Sequence, residues 1–160
     1  MRVLPIPPIV GQNTALNPDG SVEPDHAYDC GEACWASAFD GYWGIHTSPG
    51  CVRQMLGEPA SGSGTSAAEL GGLWRRFHAN AVETVYPSAD LWAPLAKLRR
   101  FGRYALLLGN WISPTEGHWV LAYERGTTTV MVMGPWDGAY FAYTRARVEA
   151  QSLGSQLWVS

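Results

Sequence analysis

The 160-residue chain is 46% hydrophobic and 16% charged, with eight Trp, seven Tyr and four Phe, a composition that excludes disorder and commits it to a folded core. A formal net charge of −3, with basic residues bunched only at Arg75-Arg76 and Lys97-Leu98-Arg99-Arg100, excludes broad attraction to a nucleic-acid backbone. No apolar run is long enough to span a bilayer, and the three prolines in the first ten residues break the helical core that a secretory signal needs.

In chain order, residues 1–24 read as an extended strap, proline-rich through Val10 and then irregular around turns such as Asn17-Pro18-Asp19-Gly20. The small and apolar positions from Gly31 to Trp43 predict a closely packed helix. A shorter helix is expected near Val52 to Leu56. Ser61-Gly62-Ser63-Gly64 is a spacer, and Ser66-Ala67-Ala68-Glu69 forms a capping box for a helix through about Phe77. Ser88-Ala89-Asp90 caps a further helix, with Leu91, Trp92, Leu95 and Leu98 at helical spacing and Gly102 as its stop.

The second half predicts strands over Tyr104–Gly109, His118–Glu124 and Thr127–Met133, the last two joined by a tight turn at Arg125-Gly126. Phe141–Tyr143 and Gln156–Val159 add short strands, with a helical turn over Thr144–Ala150 between them. An early helical half and a late antiparallel sheet define an α+β class with a cleft between the halves, and nothing divides the 160 residues into two domains.

Chemistry concentrates at two places. In Asp29-Cys30-Gly31-Glu32-Ala33-Cys34, a cysteine stands where a polar loop becomes a helix, so the free N–H groups and positive dipole end favour thiolate and can bind an oxyanion. Gly31 permits close approach of another chain or a substrate. In Gly117-His118-Trp119-Val120, a histidine opens an apolar strand, where a rigid scaffold can present it to the cleft as the base for Cys30. Folding the hairpin about Arg125-Gly126 sets Met133 or Gly134 opposite His118. Neither side chain can hold the imidazole, which leaves Asp137 or Asn110 for that role.

His26 is placed to line the cleft, and Trp111 and Trp136 lie in loops beside it, ready for substrate or partner contacts. Cys30, Cys34 and His26 lack a convincing fourth metal ligand, so no metal and no cofactor are expected. Three cysteines cannot all pair within one chain, which fits a reducing, cytoplasmic setting. Cys30 and Cys34 stand one residue further apart than the usual redox pair.

These blocks resemble the C39-like, bacteriocin-leader-peptidase type of papain-like cysteine peptidase over roughly residues 25 to 145. The nucleophile block is Asp29 to Cys34 and the histidine block is Gly117 to Val120, while Met133-Gly134-Pro135-Trp136-Asp137-Gly138 resembles the family's Asp-Pro-Trp-Gly-Gly. The resemblance implies a papain-like fold and a thiol hydrolase acting on a peptide, either a leader peptide or a cell-wall peptide. Two positions depart from it. Gly134 stands where the family has its acid, and Pro24 stands where it has its oxyanion glutamine, with Gln12 and Asn13 further upstream. Those departures define the alternative: a catalytically impaired papain-fold module that binds a protein partner within a larger bacterial or phage assembly.

Overall fold

The computed structural model describes residues 2–12, 28–57, 64–78 and 80–160. The Asn17–Gly20 turn, Pro24, His26 and most of the Ser61–Gly64 spacer lie outside the described residues.

Helix α1 (Cys30–Trp43) is the buried axis of the molecule. Ala33, Cys34, Ala36 and Ala38 have no exposed surface, and such small side chains let the helix backbone press against the sheet. Gly44, at φ 70°, closes the helix in the left-handed conformation that glycine adopts without a Cβ penalty. Helix α2 (Pro49–Leu56) starts at Ser48, whose side chain accepts from the Cys51 N–H at 3.1 Å. Helix α3 (Ala67–Phe77) carries the expected capping box of Ser66 and Glu69.

Six antiparallel strands form one sheet: β1 (Ala81–Thr84), β2 (Tyr104–Gly109), β3 (His118–Arg125), β4 (Thr129–Gly134), β5 (Ala139–Thr144) and β6 (Ser152–Val159). Their order across the sheet is β1-β6-β2-β3-β4-β5. Helix α4 (Arg145–Gln151) links the last two. Strand β3 is buried on both faces, which is why it reads as a continuous apolar run. Trp119, Leu121 and Tyr123 join the core beneath α1, while Val120 and Ala122 join a second core under Leu91, Leu95 and Leu98.

Several expectations are corrected. The helix predicted from Ser88 is three single 3-10 turns, Ser88–Asp90, Pro94–Ala96 and Arg99–Phe101, because Pro94 lacks the N–H and the room that a continuous helix requires. Strand β1 is too short and too mixed in polarity to have been expected. Strand β6 begins at Ser152 rather than Gln156, and β5 spans more than Phe141–Tyr143.

The β3–β4 register also differs. The connection runs through 126–128, and an irregularity falls between Ala122 and Glu124, so Met133 faces Leu121 instead of His118. Trp136 lies beyond the end of β4, in the turn of residues 135–138 that leads into β5.

The strap lies across this framework. The Leu4 N–H donates to the Arg99 carbonyl at 2.8 Å, and the following prolines leave carbonyls without neighbouring donors of their own. Side-chain hydroxyls supply them: Tyr104 to Pro5 at 2.8 Å, Tyr140 to Pro7 at 2.6 Å and Ser37 to Pro8 at 2.5 Å. Further along, the Gln12 N–H donates to the Pro135 carbonyl at 2.9 Å.

Candidate active site

Cys30 is the first residue of α1 and is only 5% exposed. The preceding Asp29 provides no side-chain cap. Its carboxylate instead forms a buried ion pair with Arg53 of α2, which fixes the point where the helix begins. With the capping role vacant, the backbone amides of Trp119, Gly31 and Cys30 itself are the groups that favour the thiolate at this position. A Cβ on Gly31 would meet Leu70 and Trp119 side-chain carbons at 3.0 Å, so glycine is what allows strand β3 to close on the start of α1. The Trp119 indole N–H donates to the Thr65 carbonyl at 2.9 Å, and the Thr65 hydroxyl donates to buried Glu32.

The expected preference for thiolate is reversed. Burial pushes the Cys30 thiol up, the Trp119 amide pulls it down, the Glu32 carboxylate pushes it up again, and the Gly31 and Cys30 amides pull down more weakly. Desolvation outweighs the helix N-terminus. Cys34, fully enclosed, is pushed well above the ordinary thiol value by burial and then by Cys30 and Glu32. All three cysteines are free thiols.

His118 is the first residue of β3 and is buried. Its Nδ1 is enclosed and has no hydrogen-bond partner among the described residues, while Nε2 stands 4.0 Å from a carboxylate oxygen of exposed Glu116. The Trp136 ring meets the imidazole edge-to-face, with centroids 5.4 Å apart and planes at 67°.

Cys30 and His118 line one cavity of about 240 Å³, together with Gln12, Trp111, Trp136 and Asp137. Asp137 shares the cavity but makes no ion pair with the imidazole. Asn110 is not among the lining residues, and its backbone N–H donates to the Gln151 carbonyl at 2.8 Å. His26 lies outside the described residues. Two residues, one beside the imidazole and one lining the cavity, were given no role from sequence. Glu116 carries no signal beyond its nearness to His118. Gln12 is an amide side chain upstream of Cys30, but eighteen positions away (30 − 12) instead of six, and fixed spacing conceals it.

Among the described residues, no three His, Cys, Asp or Glu side chains come together in a way that could hold a metal ion, and no helix is long and apolar enough to cross a membrane.

The early helices thus pack on one antiparallel sheet, with Cys30 at a helix start and His118 at a strand start. No family model matches the sequence, and no curated protein matches it. Solved structures do. The chain is similar to a double glycine motif protease from an AMS/PCAT transporter, solved in complex with the leader peptide, at TM-score 0.63 and 17% identity over 94% of each chain. It is similar to the peptidase domain of Streptococcus ComA, a bi-functional ABC transporter involved in quorum sensing, at TM-score 0.66 and 14% identity over 85% of this chain and 93% of that one. A Bacillus anthracis protein described as a C39-like peptidase gives TM-score 0.61 and 13% identity over 95% and 97%. The fold is therefore that of C39 peptidase domains.

Proposed function

We propose that the protein is a cysteine peptidase or amide hydrolase in which Cys30 attacks a peptide carbonyl and His118 carries the proton. The observation that carries this reading is the meeting of Cys30, His118 and Gln12, remote in sequence, around one cavity in a fold shared with C39 peptidase domains. The resting sulfur is a thiol. As the carbonyl carbon is attacked, the proton passes to Nδ1 of His118, the ring nitrogen without another partner. Glu116 stands beside Nε2, and Asp137 lines the same cavity. The developing oxyanion is held by backbone N–H at the start of α1 and by the Gln12 side-chain amide, which replaces the donor that Pro24 cannot supply. Collapse expels the amine, with the proton returned by His118, and water hydrolyses the thioester on Cys30.

The neighbour solved with a leader peptide favours a peptide substrate. A pooled peptide library containing double-glycine sequences and cell-wall-type peptides, read by mass spectrometry, tests the reading. Products formed by the wild type and missing with Cys30→Ala support it. A pool left intact by the wild type, or cut equally by Cys30→Ala, overturns it.

The second reading is a papain-fold module that binds a protein partner in a larger assembly without turnover. It is favoured by the raised Cys30 thiol and by the absence of a hydrogen bond to the imidazole among the described residues.

A further inference from the structure

Resting on the peptidase reading, we infer that Arg147 selects substrates carrying a carboxylate on the side of the cavity walled by Trp111 and Tyr143. Arg147 lines the same cavity as Cys30 and His118. Its guanidinium is held in three ways: Nε donates to the Gln151 side-chain oxygen at 2.8 Å, Nη2 donates to the Trp111 carbonyl at 2.8 Å, and Cζ lies 3.9 Å above the Tyr143 ring. All of these partners are neutral. They fix the fork and leave Nη1 uncommitted among the described residues.

Arg145, two positions earlier on α4, pairs with Glu149 at 2.7 Å, four residues on. Arg147 meets Gln151 at the same spacing, so its hydrogen-bonding need is met while its charge is not cancelled. Arg53, Arg75, Arg99 and Arg100 are likewise paired with carboxylates, whereas Arg76 and Arg125, like Arg147, are held by backbone carbonyls; of these, Arg147 lines the cavity of Cys30 and His118. Asp137 shares the cavity but forms no ion pair with Arg147 among the described residues. A pre-oriented, half-buried guanidinium with a spare donor beside a nucleophile suits a carboxylate, which it can bind by charge-assisted hydrogen bonds. On a peptide, that carboxylate is either an acidic side chain or the free C-terminus.

Three thiol-directed probes separate these sources: N-bromoacetylglycine, its neutral glycinamide counterpart, and N-bromoacetyl-aspartic acid amide. In each, the Cys30 sulfur displaces bromide from the methylene carbon and releases its proton, so the probes share one reaction and differ in where a carboxylate sits. The expected result is modification of Cys30 about tenfold faster by a carboxylate probe than by the neutral one, the scale of a charge-assisted hydrogen bond. A preference for the glycine acid indicates a C-terminal carboxylate, and a preference for the aspartate probe indicates an acidic side chain. Arg147→Gln should bring the ratio of carboxylate-probe to neutral-probe rates down to about one, and Arg147→Lys should keep part of the preference.

If Cys30 reacts with all three probes equally, or if the preference survives Arg147→Gln, the inference is wrong and the peptidase reading stands. If Arg147→Gln slows all three together, Arg147 only supports the wall. If Cys30 is inert to all three while Cys51 reacts, the peptidase reading falls and this inference with it.

Discussion

The imidazole of His118, at the start of β3, and the indole of Trp136, in the turn between β4 and β5, meet edge-to-face with 5.4 Å between centroids. This contact holds the ring from one side and covers it with a residue that is itself 40% exposed. Trp136→Ala should therefore cost little stability, about 1 kcal/mol for an aromatic pair of this kind, yet release the imidazole. The expected outcome is a several-fold fall in peptide hydrolysis, with a changed chemical shift for the His118 ring protons. Unaltered shifts and rate would show that Trp136 plays no part in positioning.

A buried, raised thiol has a definite pH signature. Iodoacetamide alkylation of Cys30 should keep rising above the free-thiol range of about 8.5 instead of levelling below it. Glu32→Gln, which removes a carboxylate that disfavours the thiolate, should move the profile to lower pH. The linkage has the matching sign. The folded values of Cys30 and Cys34 lie above the unfolded one, so their contribution to stability is complete below about pH 8.5 and is lost as pH rises toward the folded values. Urea midpoints between pH 7 and pH 10 should decline accordingly.

Asp29 and Arg53 form an ion pair in which both side chains are almost fully enclosed. Removing one partner leaves a buried charge, so Arg53→Leu should lower the unfolding free energy by about 3–5 kcal/mol in urea denaturation. The double variant Asp29→Asn with Arg53→Leu should recover a substantial part. Because Asp29 precedes Cys30, the single variant should also lower the alkylation selectivity of Cys30 over Cys51. A loss under 1 kcal/mol would mean the pair does not fix the start of α1.

Gln12 makes a sharper prediction. If its amide stabilises the oxyanion, Gln12→Ala should reduce kcat by about 10²- to 10³-fold with a much smaller change in KM. A change confined to KM would place Gln12 in substrate binding alone.

What the sequence disclosed follows from how local its signals were. Helix α1 and strands β2 and β3 are buried runs bounded by glycine or polar turns, so small-residue and apolar patterns report them directly. Cys30 and His118 stand at the first residues of such elements, and the motifs around them carry the resemblance. Other features depend on relations that no local pattern records. The helix expected after Ser88 breaks at Pro94, although Leu91, Leu95 and Leu98 still reach the core. The residue opposite His118 changes because an irregularity in β3 and a longer turn shift the register. Gln12 reaches the cavity through a strap whose carbonyls are bonded by Ser37, Tyr104 and Tyr140, distant residues that spacing from Cys30 cannot reveal.

The most direct test of the central claim is intact-mass analysis after brief exposure to an activated ester of a peptide ending in Gly-Gly. The account predicts one acyl group, mapped to Cys30, absent from Cys30→Ala and formed far more slowly by His118→Ala, with Cys34 and Cys51 unmodified. Acylation that favours Cys51, or a Cys30 adduct that forms equally fast without His118, would contradict it and leave a papain-fold binding module as the remaining description.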